Sequence, residues 1–268
     1  MSYISNPFGA PLSLFSNSGS NGGATSSDAS LATILGAKWS SPDGREFTLV
    51  QCGASAIASG LMVQAPATLA NFVSLAMVGT AAIGTNTVVV TLGGTAVLVN
   101  EFAGGFLTIS SATGIGQTFR IASHTAQATT TGNITITLED PISVALDATS
   151  TATMLLPQYG SLNGTVATAG NAALGIIVQP TTVSGRTLGA TLYPLVASTS
   201  TVPNYGWIQT SGVIGVLNQG STAVGLDLMP SAGVAGALCT YVATTKTRVG
   251  TSPIAGVDGA VQMVTLQL

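Results

Sequence analysis

From Lys38 onward apolar and polar residues alternate, the period of a strand with one buried face. The cleanest run sets Ile134, Ile136 and Leu138 against Thr135, Thr137 and Glu139; Gly132-Asn133 opens it and Pro141 ends it. Further strands are predicted at 46–51, 87–92, 105–109 and 117–121, the last with Arg120 facing opposite to Phe119 and Ile121. A stretch over 157–170 is poor in apolar residues and rich in Gly, Ser and Asn, as a linker is. Beyond it strands resume at 174–178, 205–210, 213–217, 222–228, 236–240, 249–255 and 261–268. Asp43-Gly44 and Asp258-Gly259 supply the positive φ of tight hairpins. Short strands with Gly-rich turns predict a mainly β protein, a sandwich or barrel of short antiparallel strands. The linker suggests two β subdomains, 37–157 and 158–268.

Residues 1–36 read differently. Up to about residue 26 the chain is Ser, Asn, Gly and Pro with scattered anchors, Tyr3, Ile4, Phe8, Leu12, Leu14 and Phe15, at no regular period. Such a segment cannot bury itself. It is expected either as a free terminus or as an extended arm that orders on a neighbouring subunit, with those residues as pegs. Ser26-Ser27-Asp28 then resembles a helix cap, Leu31, Ile34 and Leu35 follow at helical spacing, and Gly36 is a stop. One short helix near 28–35, docked on a sheet, is the expectation.

Composition narrows what such a body can do. Of 268 residues, 6 are Lys or Arg, 9 Asp or Glu and 1 His, for a net charge of -3. Charged residues are 6% of the chain, against about 25% in a typical soluble domain. Six scattered cations build no phosphate-tracking surface, so nucleic acid is not an expected partner. High apolar content with few charges also argues against disorder. Mean hydropathy is +0.55, and no residue from Phe47 to Asn100 is charged. Yet the best membrane-spanning candidate, Ala65 to Ile83, contains Pro66, Asn71 and Gly79 and lacks flanking cations, so no membrane association is expected. The first 15 residues lack a cationic n-region and carry Pro7 and Pro11, unlike a secretory signal. Folding in a cytoplasm would keep Cys52 and Cys239 reduced, as small packed hydrophobes.

Candidate chemistry is sparse. Gly114-Ile115-Gly116 starts like a dinucleotide fingerprint, but it lacks the third glycine and leads into a strand. No Gly-x-Ser-x-Gly elbow accompanies His124, which sits between Ser123 and Thr125 and reads as a solvated loop histidine. Glu139, Asp140 and Asp147 could form an acid–base pair or a cation site, but carboxylates around a Pro turn are more often plain turn residues. Asp43-Gly44-Arg45-Glu46 reads as a charged turn. Trp39 and Trp207 are each a core anchor or a hot spot at a subunit contact. No catalytic, metal or cofactor site is expected, and no enzymatic activity. The expected interaction residues are Tyr3, Phe8, Leu12, Phe15 and Trp207.

The segments Gly36-Ala37-Lys38, 43–51 and 56–60 resemble the opening of tailed-bacteriophage virion structural proteins. Residues 101–105, 116–121 and 134–142 with Ala145-Leu146 are similar to their middle strands. Tyr205-Gly206-Trp207-Ile208-Gln209-Thr210 and Gly212, with the Gly-punctuated strands to Leu268, resemble the C-terminal part of head decoration (cement) proteins. The resemblance covers residues 36–268 and rests on structural motifs, not catalytic ones. It implies a non-enzymatic protein on the outer surface of a phage capsid, folded in the host cytoplasm before assembly. Such a protein is a homo-oligomer, commonly a trimer, that binds across adjacent major capsid protein subunits. A tail, baseplate or fibre subunit is the alternative, although fibre shafts usually show a fixed repeat and none is seen. A hydrolase on a β scaffold is a third reading, disfavoured by the shortage of ionisable groups.

Overall fold

A computed structural model describes residues 27, 29–67, 69–161, 174–199, 202–242 and 246–268. These residues carry sixteen strands and two short 3-10 helices. In chain order the strands begin with β1 (Lys38–Ser40), β2 (Glu46–Gln51), β3 (Met62–Gln64), β4 (Leu75–Ala76) and β5 (Thr87–Gly93). There follow β6 (Phe106–Ser111), β7 (Thr118–His124), β8 (Thr131–Leu138), β9 (Thr151–Leu155), β10 (Ile177–Val178) and β11 (Thr187–Thr191). The last are β12 (Tyr205–Leu217), β13 (Asp227–Pro230), β14 (Leu238–Thr240), β15 (Gly250–Thr251) and β16 (Val261–Gln267). The protein is thus mainly β, and its antiparallel sheets form a half-barrel and a nearly closed barrel.

The six-stranded sheet runs β4-β9-β6-β7-β8-β5. A bridge between Met77 and Val90 brings its two end strands together, which all but closes the barrel. Alternation fills the interior: Val88, Val90, Leu107, Ile109, Phe119, Ile121, Ile134, Ile136 and Leu138 are buried in one cluster. Threonines at the alternate positions face outward, as the Ile134–Leu138 pattern predicts.

The ten-stranded sheet has the order β10-β3-β11-β12-β16-β15-β13-β14, with β2 on β12 and β1 on β2. This pairing departs from the expected division at 157/158. Strands β2 and β3, which fall in the expected first subdomain, hydrogen-bond to β12 and to β10 and β11 from the far end of the chain, and β1 extends the sheet on β2. The barrel of 75–155 is therefore inserted between two halves of the other sheet. Alternation reports which residues face inward but not which strand is the neighbour, so this was out of reach of the pattern.

Several elements also differ from expectation. The helix is a 3-10 helix, Ala29–Ile34, shorter than the expected 28–35. Its end carries i to i+3 bonds, Ala37 N to Ile34 O at 3.0 Å among them. So short a segment cannot offset the cost of α nucleation; it is held instead by Leu31, Ile34 and Leu35 on Phe47, Leu49 and Trp207. Gly36 ends it at φ 82°, with Tyr159 against the position a Cβ would occupy. Strands expected at 205–210 and 213–217 are one strand, β12. Gly212 (φ 85°) bends it without ending it, and Gln209 Nε2 donates to Ser211 O and Val213 O across the bend. Conversely, the strands expected at 222–228 and 249–255 shrink to Asp227–Pro230 and Gly250–Thr251. Gly225 at φ 82° interrupts the first, and Pro253, which has no N–H to give a ladder, follows the second. The stretch weighed and set aside as a membrane span, Ala65 to Ile83, holds a 3-10 turn at Ala70–Phe72 and strand β4 among its described residues. No helix among the described residues is long and apolar enough to cross a membrane.

Candidate functional site

Four expected contact residues, Tyr3, Phe8, Leu12 and Phe15, lie outside the described residues. The fifth, Trp207, is 6% exposed. Register places it opposite Leu49 on β2, under the 29–34 helix. Its surroundings are those of a core anchor and not of an outward contact, because β12 turns this face toward the helix. Trp39 stands at the edge of the same cluster, its ring 5.2 Å from that of Phe47.

The outward-facing apolar side chains gather farther along the same sheet. Strands β12 and β16 pair Val213 with Thr265, Gly215 with Met263 and Leu217 with Val261. Residues directly opposite in an antiparallel pair share a face. The alternate residues, Ile214, Val216, Val264 and Leu266, fill the core beneath. Val213 is 48% exposed, Met263 50% and Val261 62%. Two adjoining loops, joined by a bridge between Thr222 and Gly256 and by the Gly225 N to Ser252 O bond, carry exposed Val224, Leu226, Ile254 and Val257. No Asp, Glu, Lys, Arg or His lies on β12 or β16. The charges nearby are tied down: Asp227 pairs with Arg248 at 3.0 Å, and Asp258 accepts Gly220 N–H at 2.7 Å. Such a face gains by burial against apolar protein, about half of the roughly 1.5–3 kcal/mol of a fully exposed Val or Met, since each is already about half covered. In the sequence these residues read as ordinary strand positions. The available signal was that 213–217 and 261–266 carry apolar residues on both faces, where a half-exposed strand needs them on one.

The remaining chemistry is local. Glu139 pairs with Arg120 at 3.5 Å. Asp147 accepts from Thr113 and Thr149 hydroxyls at 2.6 Å each, the former first among the bonds that hold its carboxyl down to about 2. These are turn contacts, and Glu139 and Asp147 each have a separate partner. Among the described residues no three His, Cys, Asp or Glu converge as a metal site. Asp43 and Arg45 form the expected charged turn at 2.7 Å. Both cysteines are free thiols; burial pushes Cys52 up to about 12 and also raises half-buried Cys239.

His124 differs from the expectation drawn from its sequence neighbours. It is not a solvated loop residue but the buried end of β7, 4% exposed. A bulge explains it. Ile121 pairs with Leu138, yet Ser123 pairs with Thr137 and His124 with Ile136, so one extra residue reverses the parity of β7 and turns His124 inward. Its Nε2 accepts Phe102 N–H at 2.9 Å, leaving Nδ1 to donate to Thr125 O at 2.9 Å. Burial lowers its pKa, and the Thr125 carbonyl opposes this weakly. Residue 101, beside Phe102, is a fully buried glutamate that accepts Leu98 N–H at 3.0 Å. Comparison with known protein families, with curated proteins and with solved structures finds no match.

Proposed function

We propose that this chain is a non-enzymatic structural protein of a phage particle, which decorates the capsid by binding across adjacent major capsid protein subunits and associates with itself, as a trimer. The observation that carries the reading is the exposed β12–β16 face: Val213, Val261 and Met263 on strands without an acidic or basic side chain. A surface of this kind is stabilised by being covered by protein, and many copies on one shell add avidity. A clip that binds only the assembled shell stabilises it by linkage. The placement on a phage head, outside the shell, rests on the sequence resemblance over 36–268.

The experiment is light scattering of the purified chain, with co-sedimentation on expanded heads, for wild type and a Val261→Lys, Met263→Glu double variant. The wild type should form an oligomer and sediment with the heads. The double variant should keep its β circular dichroism and lose one or both behaviours. A wild type that stays monomeric and does not bind heads overturns the reading.

A further inference from the structure

Among the described residues, the two ionisable side chains of Asp, Glu, Lys, Arg or His type that are fully buried are Glu101 and His124. In a chain with so few charges, both fall at one end of the 75–155 barrel. The turn 98–104 closes that end. It is tied to β7 through Asn100 N to His124 O (3.2 Å), His124 N to Asn100 Oδ1 (2.9 Å), Phe102 N to His124 Nε2 (2.9 Å) and Gly104 N to Ile121 O (2.8 Å). Asn100 takes the left-handed conformation, φ 59°, that lets its amide reach back. The turn then drives Phe102 into the core, ring to ring with Phe72 at 4.6 Å and edge-on to His124 at 5.9 Å.

Three of these four ties run through one residue, and the side-chain tie depends on its protonation state. We propose that His124 is an acid-released latch: a proton on Nε2 frees the 98–104 turn and opens the barrel at the Phe72–Phe102 contact. A neutral ring satisfies both its nitrogens, one accepting and one donating. A proton taken from solvent onto Nε2 converts the acceptor into a second donor that faces the Phe102 N–H, with no acceptor between them. The charge would also be confined to an apolar interior, which is costly unless paired. Burial already holds the ring in its neutral form.

Few other groups could produce an acid response here. Glu101 lies on the turn itself, its carboxylate on Leu98 N–H. Arg120 and Glu139 pair with each other on the outward side of β7 and the turn after β8. Strands β4, β5, β6, β8 and β9, the 70–72 helix and the 125–130 loop carry no Asp, Glu, Lys, Arg or His. His124 is also the chain's one histidine, so its imidazole signals are read without assignment ambiguity.

The test is NMR of the full chain from pH 7.5 to 5, following the imidazole nitrogens, the hydrogen-exchange protection of the Phe102 amide corrected for intrinsic rate, and binding of an apolar dye. Variants are His124→Gln, whose amide oxygen can still accept from Phe102 and cannot titrate, and Glu101→Gln. In wild type the ring should be protonated on Nδ1 alone at pH 7.5. On acidification, Phe102 protection should fall by up to about tenfold per pH unit, as one linked proton allows, and dye binding should rise. Glu101→Gln should keep that response and His124→Gln should lose it. If Phe102 protection is unchanged while the ring titrates, or if His124→Gln responds to acid as wild type does, the latch does not exist. If Glu101→Gln alone removes the response, the glutamate is the trigger and the proposal is overturned.

Discussion

Trp207 on β12 lies directly opposite Leu49 on β2, a pairing that joins residues more than 150 positions apart and packs both under the 29–34 helix. The N-terminal hairpin is thereby part of the same sheet as the C-terminal strands. A fragment of residues 158–268 lacks β1, β2 and β3 and leaves the edges of β10, β11 and β12 unpaired. It is expected to lack a cooperative unfolding transition by circular dichroism, whereas the full chain shows one. Leu49→Ala in the full chain should cost about 3 kcal/mol in urea titration, the range for a fully buried Leu truncation.

Acid should act on stability in two separated windows. Burial depresses the folded-state pKa of His124 below its usual 6.5, so the unfolded chain binds a proton more readily than the folded one. Stability from this group is complete above 6.5 and falls as pH drops below it, by at most about 1.4 kcal/mol per pH unit for one proton. Asp147 works lower: its carboxyl is held at about 2 against 3.8, so its contribution is complete above 3.8 and is lost as pH falls through 2. Urea midpoints from pH 8 to 2 should show the upper step vanish in His124→Gln and the lower one weaken in Asp147→Asn.

The two thiols should separate by reactivity. Cys52 is fully buried and its thiol is pushed up to about 12, so almost no thiolate exists near neutrality. Cys239 is only partly covered. Alkylation at pH 8 followed by mass spectrometry should label Cys239 in the native protein and Cys52 only after denaturation.

The bend in β12 makes a third check on the ten-stranded sheet. A Cβ on Gly212 would sit 3.0 Å from Arg45 Cα, on backbone already at φ 85°. Gly212→Ala should destabilise by about 2 kcal/mol. Gly220, at φ 77° with open space around it, should lose less on the same change.

Where period alone decides, the sequence was readable. The Ile134–Leu138 alternation, the 46–51 strand and the Asp43-Gly44 turn stand as their residues indicate. The burial of His124 was not readable, because one inserted residue at the β7 bulge reverses parity without leaving a mark in the residue types. Partner choice was equally hidden: nothing in Glu46-Phe47-Thr48-Leu49-Val50-Gln51 announces that its neighbour is β12. The exposed face was half legible, since Val261, Met263, Val264 and Leu266 put apolar groups on both sides of β16. Trp207 by residue type suits a core anchor first and a contact second, and the helix packed over it decides for the core.

The central claim is that this chain works by being covered by other protein in a phage shell. Locating it in intact particles by electron cryomicroscopy, with its copy number relative to the major capsid protein, tests that claim most directly. The account predicts density on the outer surface of the head, at a fixed ratio to the capsid subunits, with the Val213–Met263 face buried against protein. Particles that lack the chain, or that hold a few copies at the tail with this face open to solvent, would contradict it.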